Sequence, residues 1–553
     1  MKIDNKNLLC YQDKNFKRDL TLTKKYHRFL LNFLYKKLNK KLDITYSKRQ
    51  WEILIGRWVK FYVDAIYFRY NYITKNIKET KIKKFYLKFN SKNHYIPHTT
   101  SDYVEITDHK EGNNFYNWKI LKYLEKNHPK KKIKIFKKSS NKKINLNRLI
   151  QFYNLTGIKN NMINFVNIFL KLFLKNKSPI IVSSYLPFPE EIILKIKNRS
   201  LFFWNYFFYK KYYDLYSIFK NKKIKRDNIF NVKKFKGFQG LLLLLLDDCL
   251  PSCFLENFHQ IDSFTTKNMV IKKPRFIFTS NEFLYNEFFK SYVAKTITDK
   301  TKYIVGQHGS AYGSINDQLD TVEELTSDYF LTWGWGKNKN HKPIGIFNQL
   351  GKTKFIKKKK INDLLLVTTN YPHKRNFWDK NEEYMNNFKE QIAFLKSLDF
   401  SLFEKVIIRL HHTDKKYFNF LKLEYQKIHS KISIDEGKKK MEDYFKNNTL
   451  IVFSYLSSGF FEFFSRNLNC LCFDSLHKNQ YQPKFYNRLY ELKKNNFFFD
   501  NGKSTSRYIN LLLKENNSKL SMHTMNSANS EFIKYYANTD NVSLKKINDV
   551  LNK

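Results

Sequence analysis

Hydrophobic spacing along the chain changes character twice. Up to Tyr72 it is helical: Trp51, Leu54, Ile55, Trp58, Tyr62 and Ile66 recur three or four positions apart, as on the buried face of a helix. Between residues 73 and 143 the periodicity fades and lysine accumulates, which predicts a loop-rich stretch with short strands. Residues 162–174 are apolar but interrupted by Asn164, Asn167 and Lys171, the pattern of an amphipathic helix lying on a core.

From residue 178 onward, short apolar runs alternate with amphipathic ones. Strand 179–183 leads to a helix at 187–196 that opens on Pro187, with Glu190 and Glu191 in its first turn. Strand 274–280, helix 281–293 and strand 302–305 follow. A lysine run at 357–360 reads as a linker, and beyond it strands are expected at 364–368, 405–410, 431–434, 450–453 and 469–473. An Asn/Ser-rich stretch at 516–530 precedes a last helix, expected to pack back across the linker. Such alternation predicts parallel sheets with helices on both faces. The fold class is therefore α/β, two Rossmann-like domains facing a cleft behind a helical N-terminal segment, divided as 1–356 and 361–553. Ligands of open α/β sheets bind at the carboxyl ends of the strands, so the loops there are the candidates for chemistry.

Composition narrows the function classes. Of 553 residues 42% are hydrophobic and 17% aromatic, ample for burial, so order is expected over most of the length. A net charge of +52 invites a nucleic-acid reading, but lysine is spread over the whole chain beside abundant Asn, Ile, Phe and Tyr. That profile fits a compositional bias better than one basic surface, and no RNA-binding or zinc-finger motif supports a nucleic-acid partner. The longest apolar run, Leu241 to Leu246, is far short of the ~20 residues a spanning helix needs. No signal peptide is evident, and five scattered cysteines (Cys10, Cys249, Cys253, Cys470, Cys472) fit a reducing compartment. A cytoplasmic protein is expected, with peripheral contact to an anionic membrane at its inner face left open.

The loop after Tyr303-Ile304-Val305 is the strongest candidate. Gly306, Gly309 and Gly313 let the backbone turn and approach a ligand closely, while Gln307 and His308 stand where the strand ends. A histidine there acts as general base or donates to a phosphate oxygen, unless it is simply a satisfied residue of a glycine turn. Glu323 or Glu324 would orient its imidazole. Trp333 and Trp335, two apart on a strand, offer one face to a nucleotide or sugar ring, or else belong to the core. In the second half, Arg409 and His411 end a strand, the arginine being suited to bidentate phosphate contact. Further on, Ser457, Ser458 and Gly459 open a helix after a strand, an arrangement that serves either as N-cap or as phosphate site. Glu462, one turn in, would reach a ribose or sugar hydroxyl. No Walker loop, dinucleotide fingerprint, hydrolase elbow or Asp-x-Asp occurs, so neither a cofactor nor a metal is expected.

The segments Gly306-Gln307-His308-Gly309 to Tyr312-Gly313, Glu323/Glu324 and Ser327-Asp328-Tyr329-Phe330-Leu331-Thr332-Trp333-Gly334-Trp335 resemble a family of transferases from bacterial surface-polysaccharide (O-antigen-type) loci. The likeness extends to Trp51 through Trp58 and to Ser454 through Glu462. The loop departs from the family in carrying Ser310 and Ala311 where glycine is commoner, and the chain begins late against the family pattern. More distantly, His308-Gly309 and the Ser-Ser…Glu segment look like loops of capsule-synthesis and CDP-glycerol-dependent transferases, which have the GT-B fold. The resemblance implies an acceptor-side first domain, a nucleotide-donor second domain and metal-independent transfer. His308 would be base or phosphate ligand, Arg409 and His411 would sit near the diphosphate, and Ser457, Ser458 and Glu462 would hold the nucleotide. The partners implied are a nucleotide-activated sugar donor and a glycan or lipid-linked glycan acceptor. A non-catalytic sugar- or nucleotide-binding assembly protein of the same fold and a basic nucleic-acid binder are the competing readings.

Overall fold

Two long helices, α1 (Phe16–Leu42) and α2 (Lys48–Glu79), open the described part of the computed structural model. It describes residues 16–79, 84–90, 95–127, 133–140, 174, 177–200, 224–230, 235–269, 271–297, 300–352, 361–369, 382–446, 448–475, 478–514, 527–540 and 542–553. The lysine run 357–360, the apolar segment 162–173, the Asn/Ser-rich stretch 516–526 and Cys10 lie outside them. Trp51, Trp58 and Tyr62 are fully buried on one face of α2, with Trp58 and Tyr62 stacked at 5.2 Å. The Trp58 indole donates to the Cys249 carbonyl at 3.1 Å.

The lysine-rich stretch after α2 is more helical than expected. A parallel two-stranded ribbon, β1 (Lys84–Phe89) and β2 (Lys134–Ser139), is connected through α3 (Thr100–Asp108) and α4 (Lys110–Asn127). A capping box between Thr99 and Asp102 starts α3, supplying partners for its orphan N–H groups. Tyr116, Ile120, Leu121 and Leu124 then recur at helical spacing on the buried side of α4. The short strands are present, but helices occupy most of what separates them.

Five parallel strands form the first sheet in the order β3 (Ile180–Val182), β4 (Phe276–Thr279), β5 (Lys302–Gly306), β6 (Tyr329–Thr332) and β7 (His341–Pro343). The short helix α5 (Val322–Thr326) lies between β5 and β6. The helix expected at 281–293 begins only at Glu287, where the Asn286 side chain accepts from Phe289 N and caps it. Helices lie on both faces of this sheet: the one after β4 packs Phe288, Phe289 and Tyr292 on one side, and the one after β3 (188–198) packs Leu194 on the other. The Leu194 side, with Ile181, Phe276, Phe278, Ile304 and Leu331, is only partly covered by that helix.

The second sheet has six parallel strands: β8 (Leu364–Val367), β9 (Val406–Arg409), β10 (Ser433–Asp435), β11 (Leu450–Phe453), β12 (Cys470–Phe473) and β13 (Phe498–Phe499). Their spatial order, β10-β9-β8-β11-β12-β13, is that of a doubly wound Rossmann sheet, with its switch point between β8 and β11. Helix α6 (Ser458–Ser465) follows β11. The chain then returns through α7 (Ser527–Tyr536) to α8 (Leu544–Asn552), where Ile547 and Leu551 complete the cover of that face of the first sheet. The molecule is thus α/β, two Rossmann-like units facing a cleft with a helical N-terminus. Among the described residues no helix is long and apolar enough to cross a membrane. The four described cysteines are buried and unbridged.

Two glycines let the returning segment lie close. Gly334 (φ +142°) and Gly345 (φ +131°) occupy backbone regions open to glycine alone, and a Cβ would come within 2.2 Å of Lys534 O and 2.5 Å of the Val542 side chain, respectively. Beside them Asn538 N donates to Trp333 O at 3.0 Å, and Ile346 N to Asn538 O at 2.8 Å. We expect Gly345→Ala to destabilise the protein by about 2 kcal/mol or more through backbone strain and to loosen α8 first. Faster amide exchange confined to 542–553 is the signature; uniform exchange would show that α8 is not held there.

Candidate functional site

Gln307 is the organising residue of the loop that follows β5. It is 1% exposed, so it does not project into the cleft as its position at a strand end suggested. Its side-chain oxygen accepts from Trp333 N at 2.9 Å and from the Trp335 indole at 2.8 Å, while its amide nitrogen donates to Gly309 O at 2.9 Å. The Trp333 indole donates to Gln307 O at 3.1 Å, and Gln307 N to Leu331 O at 2.8 Å. Trp333 and Trp335 are accordingly core residues, 3% and 6% exposed, with their N–H groups spent on the loop. Neither offers a face to a ligand. A buried amide with these partners leaves the peptide after it little freedom.

The three glycines have different roles. A Cβ on Gly306 would meet Phe347 at 2.5 Å, and one on Gly313 (φ +72°) the Trp335 ring at 2.5 Å, so both are required by packing. Gly309 is different, since a Cβ there would meet only Ser458 Oγ, at 3.9 Å. Nothing in the protein itself demands glycine at that position, which borders the cleft.

His308 is half-buried among Tyr185, Phe283 and Tyr312, whose ring centroids lie 5.7, 6.2 and 5.3 Å from its own. Its Nδ1 has no hydrogen-bond partner among the described residues. Burial lowers its pKa from the ordinary 6.5 to about 4, partly opposed by the charge of Glu323, so the imidazole is neutral near pH 7. Tyr185 gave no signal in the sequence. It is 41% exposed and, like Ser183 two residues before it, takes a left-handed backbone conformation.

The carboxylates expected to orient His308 are otherwise engaged. Glu323 accepts a short hydrogen bond from the Tyr312 hydroxyl and pairs with Arg57 of α2 at 3.3 Å, so it reaches the imidazole only through space. Burial works against the Arg57 charge, but Glu323 and its neighbours more than compensate and its pKa rises. Glu324 faces away: it forms a reciprocal capping box with Thr321, accepting from Thr321 N at 2.8 Å, and burial pushes its pKa up to about 8. Lys60, one turn beyond Arg57, bridges Asp64 and Asp317 at 2.9 and 3.0 Å. The N-terminal helices thus back the loop through buried charges. In the sequence α2 was marked by its apolar face and by the likeness over Trp51 to Trp58, which contains Arg57 but gave it no role, and Lys60 carried no signal.

Across the cleft, Ser457 is the N-cap of α6, accepting from Phe460 N at 3.2 Å. Ser458 turns the other way: its Oγ accepts from Ser310 N, 3.1 Å away in the opposite unit. A cavity of about 440 Å³ opens beside this contact, walled by Gly309, Ser310 and Ala311 on one side and by Arg409, Ser457, Ser458 and Gly459 on the other. Val367 and Phe453, the last residues of β8 and β11, also line it, which puts it at the switch point of the second sheet. Arg409 lends Nη1 to Asp435 and, at 2.8 Å, to Lys439 O. His411 stacks on His412 at 4.6 Å and does not line the cavity. Nor does Glu462: it accepts from Asn348 and Gln349 of the first unit, both at 2.9 Å, so it clamps the units instead of reaching a ligand hydroxyl. Among the described residues no cluster of His, Cys, Asp or Glu could hold a metal ion.

A family model described as LIC12162 family transferase matches residues 8–551. Among solved structures, the wall teichoic acid polymerase TagF aligns over 53% of this chain and 83% of its own, with 11% identity and a TM-score of 0.26. At that score the fold rests on the strand order and not on this likeness. No curated protein matches the chain.

Replacing Gln307 by Leu should cost about 3 kcal/mol, since the Trp335 indole, Trp333 N and Gly309 O all lose buried partners worth roughly 1–3 kcal/mol each. Denaturant unfolding measures it, and a loss below about 1 kcal/mol would remove Gln307 from its organising role. His308 generates a pH effect. Its pKa is lower in the folded than in the unfolded chain, so the stability tied to its neutral form is complete above pH 6.5 and declines as pH falls toward about 4. The slope is at most about 1.4 kcal/mol per pH unit. His308→Gln should flatten the stability profile in that window; an unchanged profile would contradict a buried neutral imidazole.

Proposed function

The chain belongs to the LIC12162 family of transferases, and from that premise we propose that it moves a glycosyl or glycosyl-like group from a nucleotide-activated donor to a bacterial surface-glycan acceptor. The observation that carries the reading is the cavity at the switch point, walled on one side by the His308 loop and on the other by the start of α6.

In this reading the donor nucleotide lies against the second sheet. Its diphosphate faces the first N–H groups of α6, the Ser457 and Ser458 hydroxyls and the Arg409 guanidinium, which lines the cavity. All three stabilise charge as it grows on the leaving phosphate, and they need no rearrangement to do so. Gly309 leaves the backbone bare where the transferred group passes. His308, neutral and next to Gly309 in the loop, accepts the proton of the incoming hydroxyl or donates to a phosphate oxygen. An imidazole with so low a pKa is a weak base in the empty cleft; a bound diphosphate beside it would raise its basicity. Tyr312, Glu323 and Arg57 hold the floor of the loop and act only through His308. No metal enters this reading.

Thermal unfolding with added nucleotides and nucleotide sugars tests it, because a ligand of the native state raises Tm. At least one of them should stabilise the wild-type chain. Gly309→Ala should melt like the wild type but lose that stabilisation. His308→Ala should keep it and lose turnover, seen as release of the nucleoside diphosphate. If no nucleotide stabilises the protein, the donor assignment fails; full turnover in His308→Ala would remove that residue from the chemistry.

A further inference from the structure

The β1–β2 ribbon has two unlike faces. Inward, Phe85, Leu87 and Phe89 are each 1% exposed, and Phe89 packs on Phe115 and Trp118 of α4. Outward, the parallel register sets Lys84 beside Lys134, Tyr86 beside Phe136 and Lys88 beside Lys138. Tyr86 and Phe136 stack on each other at 4.8 Å and 13°, yet remain 52% and 44% exposed. The four lysines are exposed as well, and neither strand contains an acidic residue. An aromatic pair framed by two lysine pairs on a rigid ribbon about 20 Å long is costly to leave in water and contributes nothing to the core behind it.

We propose that this face is a docking surface for an anionic lipid bilayer. Aromatic rings settle at the headgroup level, and lysines lay their stems along apolar surface while their ammonium groups reach lipid phosphates. The stacking geometry favours a bilayer over a nucleic-acid strand. Each ring already covers one face of the other, which halves the ring face left for an unpaired base to stack on. The surface acts whether or not the cleft transfers sugars, and it would bring the cleft to a membrane-borne acceptor.

Co-flotation of the full chain with phosphatidylglycerol-containing vesicles, against pure phosphatidylcholine, tests the proposal. A protein of net charge +52 binds anionic surfaces by charge alone, so the comparison between variants decides. Lys84→Gln, Lys88→Gln, Lys134→Gln and Lys138→Gln together should lower partition onto anionic vesicles by about a hundredfold or more. The same charge removed from the second unit, at Lys396, Lys405, Lys422 and Lys503, should change it by less than about threefold. Tyr86→Ser with Phe136→Ser should lower it about tenfold at constant net charge. An equal effect of the two lysine quartets, or wild-type binding by the serine pair, would overturn the proposal. So would ribbon variants that keep vesicle binding but lose a short oligothymidylate, since the partner would then be nucleic acid. Should the serine pair fail to melt cooperatively, the two quartets decide alone.

Discussion

Everything at the cleft depends on one buried primary amide. Gln307 binds two tryptophans of the turn that follows the neighbouring strand, not of the strand itself, with one end and the Gly309 carbonyl with the other. A buried amide is stable only when its polar atoms are paired, and here the partners are backbone and indole groups that cannot move without disturbing the sheet. The peptide from Gly309 to Ser310 is therefore held in one orientation, and Ser310 N reaches Ser458 Oγ in the facing unit. Loss of that amide would free the loop and the register between the two halves of the cavity.

The two units are joined at several points around this contact. Asn316 donates to the carbonyls of Asn479 and Tyr481, Gln482 N donates to Ser314 O, and Glu462 clamps Asn348 and Gln349. Behind the loop, Arg57 and Lys60 anchor Glu323 and Asp317 from α2. These charges are buried in pairs, so each is costly to break even where its net contribution to stability is modest. The cavity thus has a fixed floor and fixed sides. Gly309 borders it, with space where a side chain would otherwise stand, and His308, kept neutral by burial, lies next to Gly309 in the loop without itself lining the cavity. Such pre-set geometry is what a transfer reaction requires, since positioning and charge stabilisation then need no reorganisation as charge develops.

Much of this was legible in the chain itself. Strands at 180–182, 276–279, 302–306, 364–367, 406–409, 450–453 and 470–473 stand where apolar runs bounded by turns required them, because a strand buried on both faces has to be continuously apolar. The juxtaposition of the His308 loop with Ser458 also followed from alternation alone, as parallel sheets bring their carboxyl ends to a shared crevice. Helices α3 and α4 were less visible, their apolar positions being diluted by lysine and asparagine.

Side-chain direction was not legible. Gln307, Trp333 and Trp335 carry the composition of a ligand site yet spend their polar atoms on one another, and Glu324 and Glu462 are absorbed by a helix cap and an interdomain clamp. A sequence specifies which groups are available; whether they face a cavity or a neighbour depends on contacts hundreds of positions apart. Periodicity and turn chemistry, being local, determined the elements and the edge at which they meet. Only tertiary packing, which sets Arg57 against Glu323 and α8 against the first sheet, decided which polar groups remain free to act.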